Sequence, residues 1–241
     1  MSSTTWITEL QDNGPDTILK DARIYLHTIR NKENHISFIE ENLDKDMPTG
    51  DLDEIKQKKL QLEIYLEALV YNLHSLPDVM AQLIVVTVIK PLCLSLKEDL
   101  PKEIKVPEGT QITTNNVISK LQELESALVS CPKYVEEDAN LLIKEIKDSF
   151  QCLLSSDEFK YIYALVNTIK HRHLIDIQFT YKRSQGKVEE NDWKFLSFTR
   201  DGITYPEITV AKLLSQYKNS SLELFHIVGN KINSYVLAEK L

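Results

Sequence analysis

One stretch of the chain, Glu54–Ile89, changes from charged to strongly apolar along its length and most restricts how the chain folds. It opens with EIKQKK and closes with the apolar run VMAQLIVVTVI. A helix that is apolar on nearly all sides is covered by other elements, so this stretch predicts a buried central helix. Pro77 lies inside it without an amide hydrogen to donate, so we expect a kink there or a restart behind Ser75, and Pro91 should end the helix.

Helical spacing of apolar residues predicts further helices on both sides of this stretch. They cover Asp16 to about Leu43, Asn115–Cys131, Tyr134–Leu153, Ser155–His173 and Thr209 to about Glu239. Ser155 and Glu158 match a capping box at the start of the fourth of these helices. The polar triplet Asn219-Ser-Ser221 marks a site where the last helix can divide in two.

After His173 the apolar period changes from helical to alternating, which indicates a half-buried strand over residues 175–181. A polar loop then leads to a strand at Trp193–Thr199, and Asp201-Gly202 predicts a tight turn into Ile203–Tyr205. We therefore expect one mainly α domain over residues 1–241, a helical bundle of five to seven helices. A small antiparallel β-hairpin or three-stranded flap, at about 175–206, precedes the C-terminal helix.

Composition indicates an ordinary soluble protein with no broadly basic surface, since the net charge is −8 and the pI about 5.3. The first residues, MSSTTWITELQD, lack a basic segment followed by an apolar run, so we expect no signal peptide, no membrane partner and a cytoplasmic location. Three cysteines without metal-ligand spacing predict reduced thiols: Cys93, Cys131 and Cys152.

A compact polar group ends the Ser155–His173 helix. Asn167, Lys170 and His171 stand at i, i+3 and i+4, so they share a face with Tyr163. Lys170 with Arg172 can hold a phosphate or carboxylate, while His171 titrates near neutral pH. Alternatively, these basic residues complement the negative end of the helix dipole, which is the simpler interpretation.

His74 and Asp78 lie at i and i+4 in the apolar helix, where an unpaired buried polar group costs about 1–3 kcal/mol. We expect each to find a partner, either in the other or in the face carrying Asn167 and His171. No further ligands appear at diagnostic spacing, so the sequence predicts no metal site and no cofactor.

The segment NTIKHRH, the preceding helix with a His-x3-Asp step, and the hairpin-then-helix end resemble helical domains of the HEPN (higher eukaryotes and prokaryotes nucleotide-binding) superfamily, from Leu60 onward. Many HEPN proteins are ribonucleases that use Arg-x4–6-His with a polar residue after the Arg, often in a dimer. Arg30-Asn31 followed by His35 matches that pattern. The resemblance implies His35 as general base on a ribose 2′-hydroxyl and Arg30 as stabiliser of the phosphorane. Residues five apart diverge on a regular helix, so a solvated face also explains the pair.

The leading functional expectation is a binding or regulatory module of HEPN-like layout in bacterial defence or a toxin–antitoxin system, with a protein partner or a homodimer. A metal-independent ribonuclease using Arg30 and His35, with RNA as its partner, is the first alternative. An immunity or structural protein whose acidic surface meets a basic partner is the second.

Overall fold

The computed structural model of the protein describes residues 5–45, 52–96, 104–109, 112–129, 137–172, 177–184 and 187–238. They are mainly α-helical, with a small antiparallel sheet before the C-terminal helix, so the predicted fold class is confirmed. The helices in this part of the chain are α1 (Thr5–Asn13), α2 (Asp16–Lys45), α3 (Leu52–Ile84), α4 (Lys90–Ser95), α5 (Thr114–Val129), α6 (Glu137–Ser155), α7 (Asp157–Arg172), α8 (Val210–Lys212) and α9 (Asn219–Ala238). Two π-helical stretches, Val85–Ile89 and Leu213–Lys218, join α3 to α4 and α8 to α9, which leaves seven continuous helices among the described residues.

Helix α1 lies before the first helix that the periodicity predicts. Its three apolar residues, Trp6, Ile7 and Leu10, are all buried. The amide of Gly14 donates to the Leu10 carbonyl at 2.8 Å and closes the helix. A Cβ at Gly14 would lie 2.6 Å from that carbonyl oxygen, so only glycine fits this close approach. Three apolar residues in so short a segment do not establish a helical period, so the spacing of apolar residues does not predict α1.

Helix α3 continues through Pro77, so the restart predicted behind Ser75 is wrong. The neighbouring side chains of Leu76 and Met80 are buried. Packing of an apolar face supplies most of the stability of a helix in a protein, which offsets the hydrogen bond that proline cannot make.

Pro91 does not end the helix either, because α4 continues to Ser95. The π-helical stretch directly precedes it, and there the Lys90 amide donates to the Val85 carbonyl, five residues back. Pro91 thus stands in the first turn of a new α-helix, where a missing amide hydrogen is tolerated. The described helix over Lys59–Ser95 is long and apolar enough to cross a membrane by length and composition, and 50% of its most apolar window is buried within the protein.

In the described residues, the β-strands form two antiparallel sheets. Strands β1 (Ile177–Ser184), β2 (Lys187–Phe195) and β5 (Ile208–Thr209) form one, in the order β1-β2-β5, and β3 (Phe198–Arg200) and β4 (Ile203–Tyr205) form the other. The turn predicted at Asp201-Gly202 is confirmed, with φ angles of 50° and 80°. The polar segment expected to be a loop before Trp193 instead belongs to β2, because the hydrogen-bonded ladder with β1 holds it extended. The strand expected over Trp193–Thr199 is divided between β2 and β3.

Tyr161 of α7 anchors the β3–β4 hairpin. Its buried ring meets those of Phe198, Tyr205 and Tyr217 edge to face, at centroid distances of 5.5, 5.8 and 5.0 Å. Its hydroxyl donates to the Pro206 carbonyl at 3.2 Å. Burial raises the pKa of this phenol, so it remains a neutral donor.

The start of α7 differs from the predicted capping box by one residue. Ser156 is the N-cap, and its Oγ accepts from the Phe159 amide at 3.2 Å. Ser155 is the last residue of α6 and donates its hydroxyl to the Cys152 carbonyl at 3.3 Å. Two adjacent serines offer equivalent caps in sequence, and the end of α6 decides which one is used.

The final helix does not divide at the serines. Residues 210–238 stay helical through Asn219-Ser-Ser221, and the irregularity lies just before it, in the π-helical stretch Leu213–Lys218. Lys218 at the end of this stretch is buried and forms an ion pair with Glu40 of α2. That pairing gives the buried ammonium the partner it needs.

The residues group into two compact units. The first comprises Met1–Asn31, Ser75–Ser155 and Glu223–Leu241, and the second comprises Lys32–His74 and Ser156–Leu222. The first has a core of side chains from α1, α5, α6 and α9, such as Ile7, Leu121, Phe150 and Val228. The second has a core from α3, α7 and the sheet, such as Leu66, Leu165 and Trp193. The single-domain organisation stays a prediction.

Candidate functional site

Helices α3 and α7 meet within the second unit through two aromatic contacts. The imidazole of His74 stacks on the ring of Tyr163, with centroids 5.2 Å apart and planes inclined by 23°. One turn earlier on α3, the ring of Tyr71 lies under the ammonium group of Lys170, 5.7 Å from Nζ to centroid. The first pair joins an earlier residue of α7 to a later one of α3, and the second does the reverse, so the helices run antiparallel here.

The side chains at this contact form one surface, which we call the α3–α7 face: Tyr71, His74, Tyr163, Asn167 and Lys170. The ring of Tyr163 is 53% exposed and the Lys170 side chain is exposed as well. Tyr163 and Lys170 are seven residues apart, which places them on the same side of α7 about 10 Å apart along its axis. Between them, Asn167 donates its Nδ2 to the Tyr163 carbonyl at 2.9 Å.

The charges of the face favour an anion at one end. A cation over an aromatic ring within about 6 Å is attracted to the ring's negative face, so Tyr71 positions the Lys170 ammonium without neutralising it. No carboxylate of the described residues forms an ion pair with Lys170. Burial, and then the carboxylate of Glu67, raise the pKa of the Tyr71 phenol, which therefore stays neutral.

Next to the face, a small cleft is lined by residues of α3, α7 and the sheet. Glu63, Glu67 and Val70 lie on one side, and Ile169 and Phe195 on the other. Its accessible volume of about 10 Å³ matches a single water molecule. A ligand of any size would therefore rest on the exposed rings and not enter this cleft.

The other polar residues predicted for this cluster have different positions. Asp78 is exposed to solvent, so the expectation that it needs a buried partner is wrong. The side chains of His171 and Arg172 lie outside the described part of the chain, and their role stays a prediction. Tyr71 was not predicted, although its position three residues before His74 places both on the same side of the helix.

Arg30 and His35 both lie on α2, which is helical over its whole length. The Arg30 guanidinium donates to Gln11 Oε1 at 3.1 Å and to Thr8 Oγ1 at 3.4 Å, while His35 is exposed. Arg30 therefore links α2 to α1 through hydrogen bonds. Five residues at about 100° per residue place the side chains of Arg30 and His35 about 140° apart around the helix axis, so they point in different directions. The catalytic pairing of the two stays a prediction.

Among the described residues, no group of three or more His, Cys, Asp or Glu side chains is arranged to hold a metal ion. Comparison of the chain with protein-family models, with curated proteins and with solved structures found no match. The HEPN resemblance accordingly rests on the sequence segments that carry it.

Proposed function

We propose that the protein is a helical binding module whose α3–α7 face takes an extended anionic ligand, with an anionic group at Lys170 and a flat group on the ring of Tyr163. The single observation that supports this most is the exposed Lys170 ammonium held over Tyr71, two helical turns from the half-exposed Tyr163. The ring of Tyr71 positions the ammonium group and leaves its positive charge available to an anionic ligand.

Each end of the face contributes a different kind of recognition. A flat ring resting on an exposed aromatic side chain contributes about 1–3 kcal/mol. A hydrogen bond to a charged group contributes a net of about 1.5–3 kcal/mol. Because the two sites are about 10 Å apart, a ligand that spans both gains from each, and a ligand with only one of these groups binds more weakly.

Three probes separate the two contributions by isothermal titration calorimetry: ATP, tripolyphosphate and adenosine. We expect ATP to bind most tightly. Lys170→Ala should weaken ATP and tripolyphosphate by roughly tenfold or more and leave adenosine unchanged, whereas Tyr163→Ala should weaken ATP and adenosine by roughly tenfold.

Two control variants remove the same groups elsewhere. Lys144→Ala deletes an exposed lysine of α6, and Phe38→Ala deletes an exposed aromatic ring of α2. Both should bind all three probes like the natural chain. No binding of ATP, or equal binding by Lys170→Ala and Lys144→Ala, would refute the proposal. A lower melting temperature of Lys170→Ala without any ligand binding would assign the face to structure instead.

The biological setting is proposed from the sequence alone. The HEPN resemblance favours a cytoplasmic regulator in bacterial defence or a toxin–antitoxin system, acting through binding and not catalysis. A protein partner or a second copy of the chain belongs to that proposal.

A further inference from the structure

Within the first unit, helix α1 contacts one side of α9 through a row of three residues. His226, Gly229 and Asn233 follow each other at i, i+3 and i+7, so they line one face of α9. Trp6 lies against the first two, and Glu9 accepts a hydrogen bond from Asn233 Nδ2 at 2.8 Å. We call this arrangement the α1 clasp.

The middle of the clasp is a steric fit between Trp6 and Gly229. A Cβ atom built on Gly229 would lie 2.3 Å from Trp6 Cε2, closer than any real contact allows. The indole therefore rests directly on the backbone of α9, and Trp6 is only 2% exposed. A ring fitted this closely has no room to shift while it stays docked.

The end of the clasp is a hydrogen bond with a fixed direction. The Trp6 indole Nε1–H donates to Nδ1 of His226 at 3.3 Å. An indole nitrogen can only donate, and an imidazole nitrogen can accept only while it carries no proton. Protonation of Nδ1 would set one N–H against another, and the close fit gives the indole no room to relieve this while it stays docked.

The surroundings of His226 favour its neutral form. Burial lowers the pKa of the imidazole below its ordinary value, because the charged form loses its hydration there. Of the described charged groups on α1 and α9, Glu9 bonds to Asn233 and Lys231 bonds to Glu145 at 2.9 Å, while Asp12 and Glu223 are exposed to solvent. Arg30 of the adjacent α2 bonds to Thr8 and Gln11.

We propose that α1 is a proton-released clasp, in which protonation of His226 at Nδ1 displaces the Trp6 indole and frees α1 from α9. The docked state requires the neutral imidazole, and the released state accepts the proton at an ordinary histidine pKa of about 6.5. The docked state therefore has its full stability above that pH. Its stability relative to the released state falls as the pH drops below that value, and it stops falling once the pH is below the pKa of the docked imidazole.

The test is a pH titration of the full chain by NMR, observing the two indole N–H signals. The chain has two tryptophans, so Trp193→Phe assigns them. Between pH 8 and pH 5 the population of the released state should rise by up to roughly thirtyfold, so the Trp6 indole signal should begin to shift toward the position of a solvent-exposed indole and exchange faster with water. The Trp193 signal, from the other unit, should stay in place.

His226→Asn removes the titration and keeps an acceptor, because the Asn Oδ1 stands near the position of Nδ1. Its Trp6 signal should be independent of pH over the same range. His27→Gln, at an exposed histidine of α2, is the matched control and should titrate like the natural chain.

Three results would overturn the proposal: a constant Trp6 signal in the natural chain, a joint shift of both indole signals, or an unchanged titration in His226→Asn. The imidazole signals of His226 in the natural chain give a further criterion, since their midpoint must coincide with that of Trp6.

Discussion

The α1 clasp and the α3–α7 face each pair a histidine with an aromatic ring, and they differ in what surrounds the pair. Trp6 is 2% exposed and hydrogen-bonded to His226, whereas Tyr163 is 53% exposed and stacks on His74 without being covered. In the clasp, the indole nitrogen of Trp6 donates to the imidazole of His226. In the face, the ring and the nearby ammonium of Lys170 remain open to solvent.

The difference indicates that burial, and not residue type, decides how much such a pair contributes to folding. A buried aromatic ring contributes through the area it removes from water, and its loss leaves a cavity. An exposed ring contributes little to folding, and its contact area remains available to a ligand. Measurements of stability should therefore separate the two regions clearly.

The largest effect expected is that of Trp6→Ala, because it empties the centre of the clasp and removes the donor to His226. We expect a loss of about 4 kcal/mol in the free energy of unfolding, measured by urea denaturation. Ile24→Ala, which shortens a 67% exposed side chain of α2, should change it by less than about 0.5 kcal/mol. Equal effects of the two variants would show that the clasp is not a stabilising contact.

Gly229→Ala should have a smaller but still large effect, since the added Cβ would lie 2.3 Å from the Trp6 ring. Overpacking of this kind costs about 1–3 kcal/mol even though alanine favours the helix itself. Asn230→Ala, at the exposed neighbouring position, serves as the comparison in the same urea experiment. A Gly229→Ala chain as stable as Asn230→Ala would mean that α1 docks without the close fit described above.

Tyr163→Ala should have the smallest effect on stability, about 0.5–1 kcal/mol, because it removes one stacked pair at the surface. Thermal unfolding, followed by circular dichroism, measures the loss of stability in Tyr163→Ala and in Trp6→Ala under the same conditions. A loss above about 2 kcal/mol would remove the distinction between the two regions and assign the α3–α7 face to the core.

The sequence predicted the helices whose regular apolar spacing extends over several turns, and one tight turn with a strong local signal. The helical spacing in α2, the apolar character of α3 and the Asp201-Gly202 turn all follow from local physics, and each is confirmed. It also placed Tyr163, Asn167 and Lys170 on one side of α7, since that depends only on helix geometry.

Other features depend on parts of the chain that are distant in sequence. From the local sequence, Pro77 and Pro91 are both expected to break a helix. Packing of the apolar face keeps the helix continuous at Pro77, and the π-helical stretch before Pro91 allows it to continue there. Trp6 gave no local signal because its partners lie more than two hundred residues away. Tyr71 could have been found, since it precedes His74 by one turn, but only the contact with Lys170 shows its role.

The separation of the two ends of the clasp also bears on how the protein is made. Trp6 and His226 are 220 residues apart, and at about 5–20 residues per second the ribosome needs roughly 11–44 s to pass from one codon to the other. Throughout that interval α1 is present without its docking surface, and its tryptophan is unshielded on the growing chain. Nascent-chain binding by a chaperone at this helix would protect it until α9 emerges.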